Sequence, residues 1–363
     1  MAISEAGIRK ALESYVEPYL RQTLAQSGAL HAIELAGNRV AVRLELGFPT
    51  VGYAHTLQAA LQQHLAGQGL DADLTLELTS RIVPHAVQRS LKPLEKVKNI
   101  VAVASGKGGV GKSTVAVNLA LAWAAAGAAV GILDADIYGP SQPLMLGLTG
   151  QKPSSPDGKR ILPLRAHGLA AMSIGFLVDP AQAVVWRGPM VTQALTQLLG
   201  DTEWGELDYL VVDMPPGTGD IQLTLAQRVP VAGAIIVTTP QDIALADARR
   251  GLAMFEKVSV PVLGVIENMS VHICSNCGHS EHIFGAGGGA RMAQEYGVAL
   301  LGELPLDAQV QREADGGRPS VVADPNSPRA QPYIEAARRA AAVLAVRTRD
   351  RSAVFPKIVV EDT

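Results

Sequence analysis

Thiols are scarce in this chain: there are two cysteines in 363 residues, Cys274 and Cys277, and they lie three positions apart. Such a pair cannot form a disulfide framework, so the fold has to be held by a buried core. No apolar run reaches the ~18 residues that a membrane-crossing helix needs. The opening residues, Met1-Ala-Ile-Ser-Glu-Ala6, lack the basic-then-apolar pattern of an export leader, which predicts a cytoplasmic protein. Charge of a single sign is also missing. Lys and Arg number 31 against 34 Asp and Glu, a net charge of −3, and no like-charged block suggests nucleic acid as a partner. What is present is hydrophobic side chain, 48% of the residues. The length exceeds the usual ~100–200 residues of one domain, so two domains, or one large domain with an appendage, are expected.

The most informative stretch runs from Val101 to Thr114. An apolar run from Asn99 to Ala104 breaks into Gly106-Lys107-Gly108-Gly109-Val110-Gly111-Lys112-Ser113-Thr114, and an apolar helix follows from about Lys112. The pattern is that of a phosphate-binding P-loop between a strand and a helix. Its glycines let successive backbone N–H groups turn toward phosphate oxygens, and the helix adds its positive end. Lys112 is placed to reach the β- and γ-phosphates of ATP, and Ser113 to ligate Mg²⁺. The early lysine, Lys107, resembles that of the deviant P-loops of the MinD, ParA and nitrogenase iron-protein class. That resemblance implies a homodimer sandwiching ATP, with Lys107 reaching the partner's nucleotide.

Residues 1–90 read as a small α+β domain. Ile8, Leu12, Tyr15, Val16 and Leu20 recur at helical spacing. Leu30–Leu35 and Val40–Leu46 flank a Gly37-Asn38 turn and read as a hairpin. A helix from about Ala54 to Leu65 and a strand at Leu74–Leu78 complete an α-β-β-α-β order. Residues 91–98 read as a linker, residues 99–346 as the ATPase domain, and residues 347–363 as a tail without an amphipathic membrane-binding face.

Within the ATPase region, strands alternate with helices of ten or more residues, the pattern of an α/β fold with a mostly parallel sheet flanked by helices. The strand Ala129–Leu133 ends in Asp134-Ala-Asp136, where carboxylates face the ligand crevice of such sheets. Residues 151–173 read as an inserted surface hairpin. Arg187 precedes a helix start, where it could meet an anion or form a surface ion pair. Trp204–Asp213 reads as a second diagnostic strand, whose apolar residues ending in Asp213 fit a Walker B with its carboxylate on the Mg²⁺ shell. Met214-Pro-Pro-Gly217-Thr-Gly-Asp220 then turns sharply and brings the Gly217 N–H toward a γ-phosphate. Val260–Ile266 forms a further strand that ends at Glu267-Asn268-Met269. The Asn268 amide has both the donor and the acceptor needed to pair with an adenine edge.

Cys274 and Cys277 supply half of a tetrahedral metal shell. Three readings are open: a cluster bridging two chains, a zinc site completed by His279 or His282, or a dithiol redox switch. Spacing alone slightly favours zinc. The homodimer implied by Lys107 brings two such loops together on a two-fold axis and moves the balance to the cluster.

Taken together, Lys107–Lys112, Asp134–Ser141, Arg187–Met190, Pro215–Asp220, Cys274/Cys277, His279–Gly285 and Ala323–Pro325 occur in an order that resembles the Mrp/ApbC family of P-loop iron–sulfur cluster carrier ATPases. The resemblance covers roughly residues 95–345 and, weakly, the N-terminal module. It implies a labile [4Fe–4S] cluster held by Cys274 and Cys277 of two subunits, delivered to apo-proteins and received from scaffold proteins, with ATP hydrolysis required. It further implies that Asp136 orients the attacking water and that Asp134 lies near the metal. Relatives often carry a cysteine in the loop after the N-terminal hairpin. The corresponding loop here, Gly47–Tyr53, has none.

Overall fold

A computed structural model describes residues 4–88, 91–177, 188–274 and 276–347. The first helix, α1 (Glu5–Ser14), is capped by Ser4, whose Oγ accepts the Gly7 N–H at 3.2 Å. It stops six residues before Leu20, earlier than the apolar spacing predicts. Glu17 precedes Pro18, and a proline ring disfavours helical backbone in the residue before it. Two-residue strands β1 (Val16–Glu17) and β2 (Gln22–Thr23) pair there instead, and the short helix α2 (Leu24–Ser27) follows. The hairpin β3 (Leu30–Ala36) and β4 (Arg39–Leu46), helix α3 (Ala54–Gly67) and β5 (Asp73–Ser80) appear as the sequence predicts. Strand β5 runs parallel to β4, giving the order β3-β4-β5. Alternate residues of β4, Val40, Val42, Leu44 and Leu46, are buried with Ile8, Leu12, Leu57 and Leu61.

Strand β6 (Val97–Ser105) leads into α4 (Lys112–Ala125), β7 (Val130–Asp134) and the single turn α5 (Gln142–Met145). The strands β8 (Leu164–Ala166) and β9 (Leu169–Ser173) come next, then α6 (Gly188–Asp201), β10 (Leu207–Asp213), α7 (Asp220–Arg228) and β11 (Gly233–Thr238). Helix α8 (Asp242–Lys257), β12 (Val262–Ile273), β13 (Ser280–Glu281), α9 (Gly288–Glu295) and β14 (Ala299–Leu306) follow. The helices α10 (Ala308–Asp315), α11 (Ser320–Ala323) and α12 (Gln331–Ala345) end the described chain.

The main sheet has the order β13-β12-β11-β6-β10-β7-β9-β8, with β14 also on β12. Its described neighbours are parallel except β8–β9 and β12–β13. Strand β6 lies between β10 and β11, so the chain leaves it toward β7 on one side and later builds β11 on the other. That reversal opens the crevice in which open α/β sheets bind ligands. Two expectations are corrected here. The hairpin within residues 151–173 is not a surface insertion, because Leu169–Ser173 is wholly buried and extends the sheet beside β7. Strand β12 does not end at Glu267-Asn268-Met269 but continues to Ile273, because β13 and β14 pair with its outer part.

The N-terminal module is seated on the ATPase region, and buried residues of both belong to one continuous core. The loop Gly47–Tyr53 makes much of this contact. The Val51 N–H donates to Ala126 O at 3.1 Å, just past the end of α4. The Arg338 guanidinium of α12 lies 5.5 Å from the Tyr19 ring centroid and 5.0 Å from that of Tyr53. Tyr19 Oη donates to Glu335 at 2.8 Å. Beneath these rings Glu17 is fully buried, accepting from Tyr53 Oη at 2.7 Å and from the Leu20 N–H at 2.6 Å. Burial raises its carboxyl above the usual glutamate range, against the lowering effect of those donors.

Candidate functional site

The P-loop leaves β6 at Ser105 and enters α4 at Lys112. Gly109 and Gly111 take φ of +81° and +80°, a conformation that side chains resist, which is why the turn needs glycine at these places. Gly106 is required for a different reason: a Cβ there would run into the backbone of Asp247 in α8. Around Gly108 and Gly109 a Cβ would meet nothing within 4 Å, so the loop opens onto free space. Thr114 lies in the first turn of α4, and its carbonyl accepts from Asn118 Nδ2 at 2.9 Å.

Lys112 and Asp213 meet at the floor of this loop. The ammonium is 6% exposed and the carboxylate 0%, and Lys112 Nζ is bonded to Asp213 Oδ1. Lys112 Nζ is also 3.1 Å from Ser113 Oγ. Parallel pairing brings Asp134 of β7 opposite Asp213 of β10. Asp134 Oδ2 accepts from the Ser141 and Gln142 N–H groups at 3.0 and 3.1 Å and from Ser173 Oγ at 3.1 Å. Burial, followed by the charge of Asp213, pushes its carboxyl up to about 7. Asp136 is half-buried, its Oδ1 accepts the Gly139 N–H at 3.3 Å, and burial raises its carboxyl as well.

Gln142 was not singled out by sequence reasoning, yet its Nε2 bridges Ser113 O at 3.1 Å and Asp213 Oδ2 at 2.9 Å. It stands one residue beyond the Asp134–Ser141 motif, and its signal is a glutamine in a helix turn that is buried. Gln142 Oε1 and Ser141 Oγ are buried with no partner among the described residues. Orphaned polar atoms beside Ser113, Asp134 and Asp213, under an open loop of N–H groups, fit a hydrated divalent cation and a phosphate chain.

Lys107 is half-buried and forms no ion pair among the described residues. The Gly217 N–H donates to Ser105 O at 3.0 Å, so in this structure it is bonded to the end of β6. Asn268 is buried near the loop, and its Nδ2 donates to Val110 O at 2.8 Å. Arg187 lies outside the described residues, as does the tail beyond Arg347.

The two cysteines sit at the tip of the hairpin β12–β13. The Cys274 N–H donates to His279 O and the Gly278 N–H to Cys274 O, both at 2.9 Å. Cys277 is exposed and Cys274 half-buried. The N–H groups of Asn276 and Cys277 are directed at the Cys274 sulfur, and the Cys277 thiol adds to them. Together they hold the Cys274 thiol below its usual range. His282 Nδ1 is 2.7 Å from Ser270 O and so is engaged with the backbone of β12. Among the described residues no set of three His, Cys, Asp or Glu side chains is placed to hold a metal ion.

Comparison with known proteins agrees with this geometry. The family described as NUBPL iron-transfer P-loop NTPase matches residues 96–341, and that described as iron–sulfur cluster assembly protein matches residues 5–72. An iron–sulfur cluster carrier protein of Pseudomonas fragi is 62% identical over 263 residues, 72% of this chain and 92% of that protein. The Escherichia coli K12 iron–sulfur cluster carrier protein is 50% identical over 339 residues, 93% of this chain and 92% of that protein. The mouse iron–sulfur cluster transfer protein NUBPL is 49% identical over 271 residues, 74% of this chain and 84% of that protein. A nucleotide-binding protein from Archaeoglobus fulgidus, solved in complex with ADP, superposes with a TM-score of 0.57 at 38% identity. That match covers 65% of this chain and 92% of the archaeal one. With a P-loop, two carboxylates on adjacent strands and a thiol hairpin in one sheet, and a family match over most of its length, the chain belongs to the iron-transfer P-loop NTPases.

Proposed function

We propose that this protein is an ATP-dependent iron–sulfur cluster carrier that works as a homodimer in the cytoplasm. Its cargo is a [4Fe–4S] cluster held by Cys274 and Cys277 of both subunits, taken from scaffold proteins and passed to apo-proteins. The observation that carries this reading is the hairpin tip, where two thiols stand at the surface and backbone N–H groups favour the thiolate. Two thiolates from each of two chains complete the four that a cluster requires. The names of the relatives support the same cargo.

ATP occupies the loop Gly106–Thr114, with Lys112 at the β- and γ-phosphates and the open N–H groups around Gly108 and Gly109 on the phosphate oxygens. Were Mg²⁺ bound, Ser113 would ligate it, and Asp213 and Asp134 would hold its water shell. The ion, when bound, neutralises charge on the β- and γ-phosphate oxygens. Binding then requires Lys112 to turn partly from Asp213 toward phosphate, while Gln142 keeps Asp213 Oδ2 in place. Asp136 orients the attacking water. Lys107 of the partner subunit balances charge on the γ-phosphate. The Gly217 N–H leaves Ser105 O for the γ-phosphate, which lets residues 214–220 distinguish ATP from ADP. Asn268 braces the loop through Val110 and borders the base.

The deciding experiment measures iron, acid-labile sulfide and zinc per chain in protein purified without oxygen, with its mass in solution. About two irons and two sulfides per chain in a dimer, lost in Cys274→Ala, are expected for one bridging four-iron cluster. Stoichiometric zinc in a monomer, kept after reconstitution with iron and sulfide, would replace the carrier reading with a structural zinc site.

A further inference from the structure

Three consecutive residues in the middle of β12 touch both halves of the proposed machinery. Asn268 faces the P-loop, donating to Val110 O at 2.8 Å and packing against Gly111. Glu267 is fully buried. Its Oε2 accepts the N–H of Gly289 in the first turn of α9, and its Oε1 has no partner among the described residues. Helix α9 is where the chain returns from the cysteine hairpin. It is seated without slack: a Cβ on Gly289 would stand 2.9 Å from Glu267 Cβ, and one on Gly288 would stand 3.0 Å from Pro240 O. Met269 takes φ of +57°, which is rare for a side-chain-bearing residue.

The pairing with β14 explains that conformation. Between Glu267 and Val271 strand β12 advances four residues, while β14 advances two, from Glu303 to Pro305. Strand β12 thus bulges where it passes the P-loop, six residues before Cys274. A bulge leaves residues out of the ladder, so the backbone there can reorient without separating the strands. Glu267 and Asn268 are neighbours on a strand and point to opposite sides. One rotation of this segment therefore moves the contact with the P-loop and the contact with α9 together.

We propose that the Glu267–Met269 bulge couples the nucleotide loop to the cysteine hairpin, with Glu267 and Asn268 as positioning residues. Asn268 carries a displacement of the Val110 carbonyl onto β12. Glu267 carries it onward to α9, so that both ends of the 274–287 excursion shift with the loop. This inference rests on the nucleotide and thiol sites proposed above.

The test is hydrogen exchange, read by mass spectrometry on the full-length protein with and without Mg²⁺ and a non-hydrolysable ATP analogue, at a concentration shown by titration to saturate each variant. In the unsubstituted protein the analogue should change exchange across residues 270–289 by about fivefold or more, and in Glu267→Ala by less than about twofold. Glu267→Gln should restore the response, because its amide oxygen still accepts the Gly289 N–H. Simple loss of stability would lower the melting temperature of Glu267→Ala without removing the response. If Glu267→Ala does not fold, Asn268→Asp, which removes the donor to Val110, should lose the response in the same way. A full response in Glu267→Ala, or in Asn268→Asp, would overturn the coupling. So would analogue binding to the unsubstituted protein with no change at residues 270–289. Failure of that protein to bind the analogue at all would instead remove the nucleotide site itself, and the coupling with it.

Discussion

The nucleotide loop and the cysteine hairpin lie on the same sheet and are built in opposite ways. The loop is surrounded by buried charge: Asp134 and Asp213 are both 0% exposed and Lys112 only 6%. Every one of these groups is hydrogen-bonded, because an ion removed from water has to recover its solvation from the protein. Among its described residues the tip of the hairpin, 274–279, carries no buried charge. It projects beyond the sheet, held by two backbone bonds at its tip and a two-residue strand. A site that must stabilise phosphate charge gains from a dry, rigid setting, whereas a site that must surrender its cargo gains from exposure. On the proposed reading the contrast is one of tasks, and substitutions should separate the two regions.

The largest effect is expected at Lys112. Lys112→Ala leaves Asp213 buried without its cation, at a cost of about 3–5 kcal/mol measurable by urea denaturation. On the proposed reading ATP turnover also falls at least about a hundredfold. Gly106→Ala comes next. Its Cβ collides with the α8 backbone, and overpacking of this kind costs about 1–3 kcal/mol. Gly108→Ala, in open space, should stay within about 0.5 kcal/mol of the parent. Equal losses for the two glycines would show that the loop is less rigidly seated than the contacts indicate. At the hairpin, Cys277→Ser should change stability by no more than about 0.5 kcal/mol, while iron and sulfide content drop to background. A large drop in melting temperature for metal-free Cys277→Ser would contradict the contrast drawn here.

The smallest effect concerns a buried carboxylate far from both sites. Glu17 keeps its proton to higher pH in the folded chain than in the unfolded one, because burial raises its carboxyl. The folded state thus binds more proton in the window above the ordinary glutamate range, and stability falls as pH rises through that window. Glu17→Gln removes the titration and retains an acceptor for Tyr53, so its melting temperature relative to the parent should rise across the same window. A difference independent of pH would mean that Arg338 compensates the buried charge fully.

Local signals made much of the site legible. Glycines at positions that need left-handed φ, a lysine and serine at a helix start, and apolar strands ending in Asp134 and Asp213 each depend on a few neighbouring residues. The cysteine pair was equally plain. Errors arose where distant segments decided the outcome. The 151–173 region reads as a surface hairpin because its strands are short, yet β7 buries Leu169–Ser173. Glu267-Asn268-Met269 reads as a strand end because two polar residues interrupt an apolar run, yet β13 and β14 extend the strand past them. Apolar spacing alone extends the first helix too far, because it takes no account of the proline at position 18.

The class of the fold, the phosphate loop, the carboxylates around it and the thiol pair are legible in the sequence because each is encoded in contiguous residues with a strong local preference. Packing between distant segments places Gln142 on Asp213, Asn268 on the P-loop, Glu267 on α9 and the loop Gly47–Tyr53 on the ATPase region. Those contacts join residues from about twenty to about three hundred positions apart, and burial selects among partners that the local sequence leaves equally available.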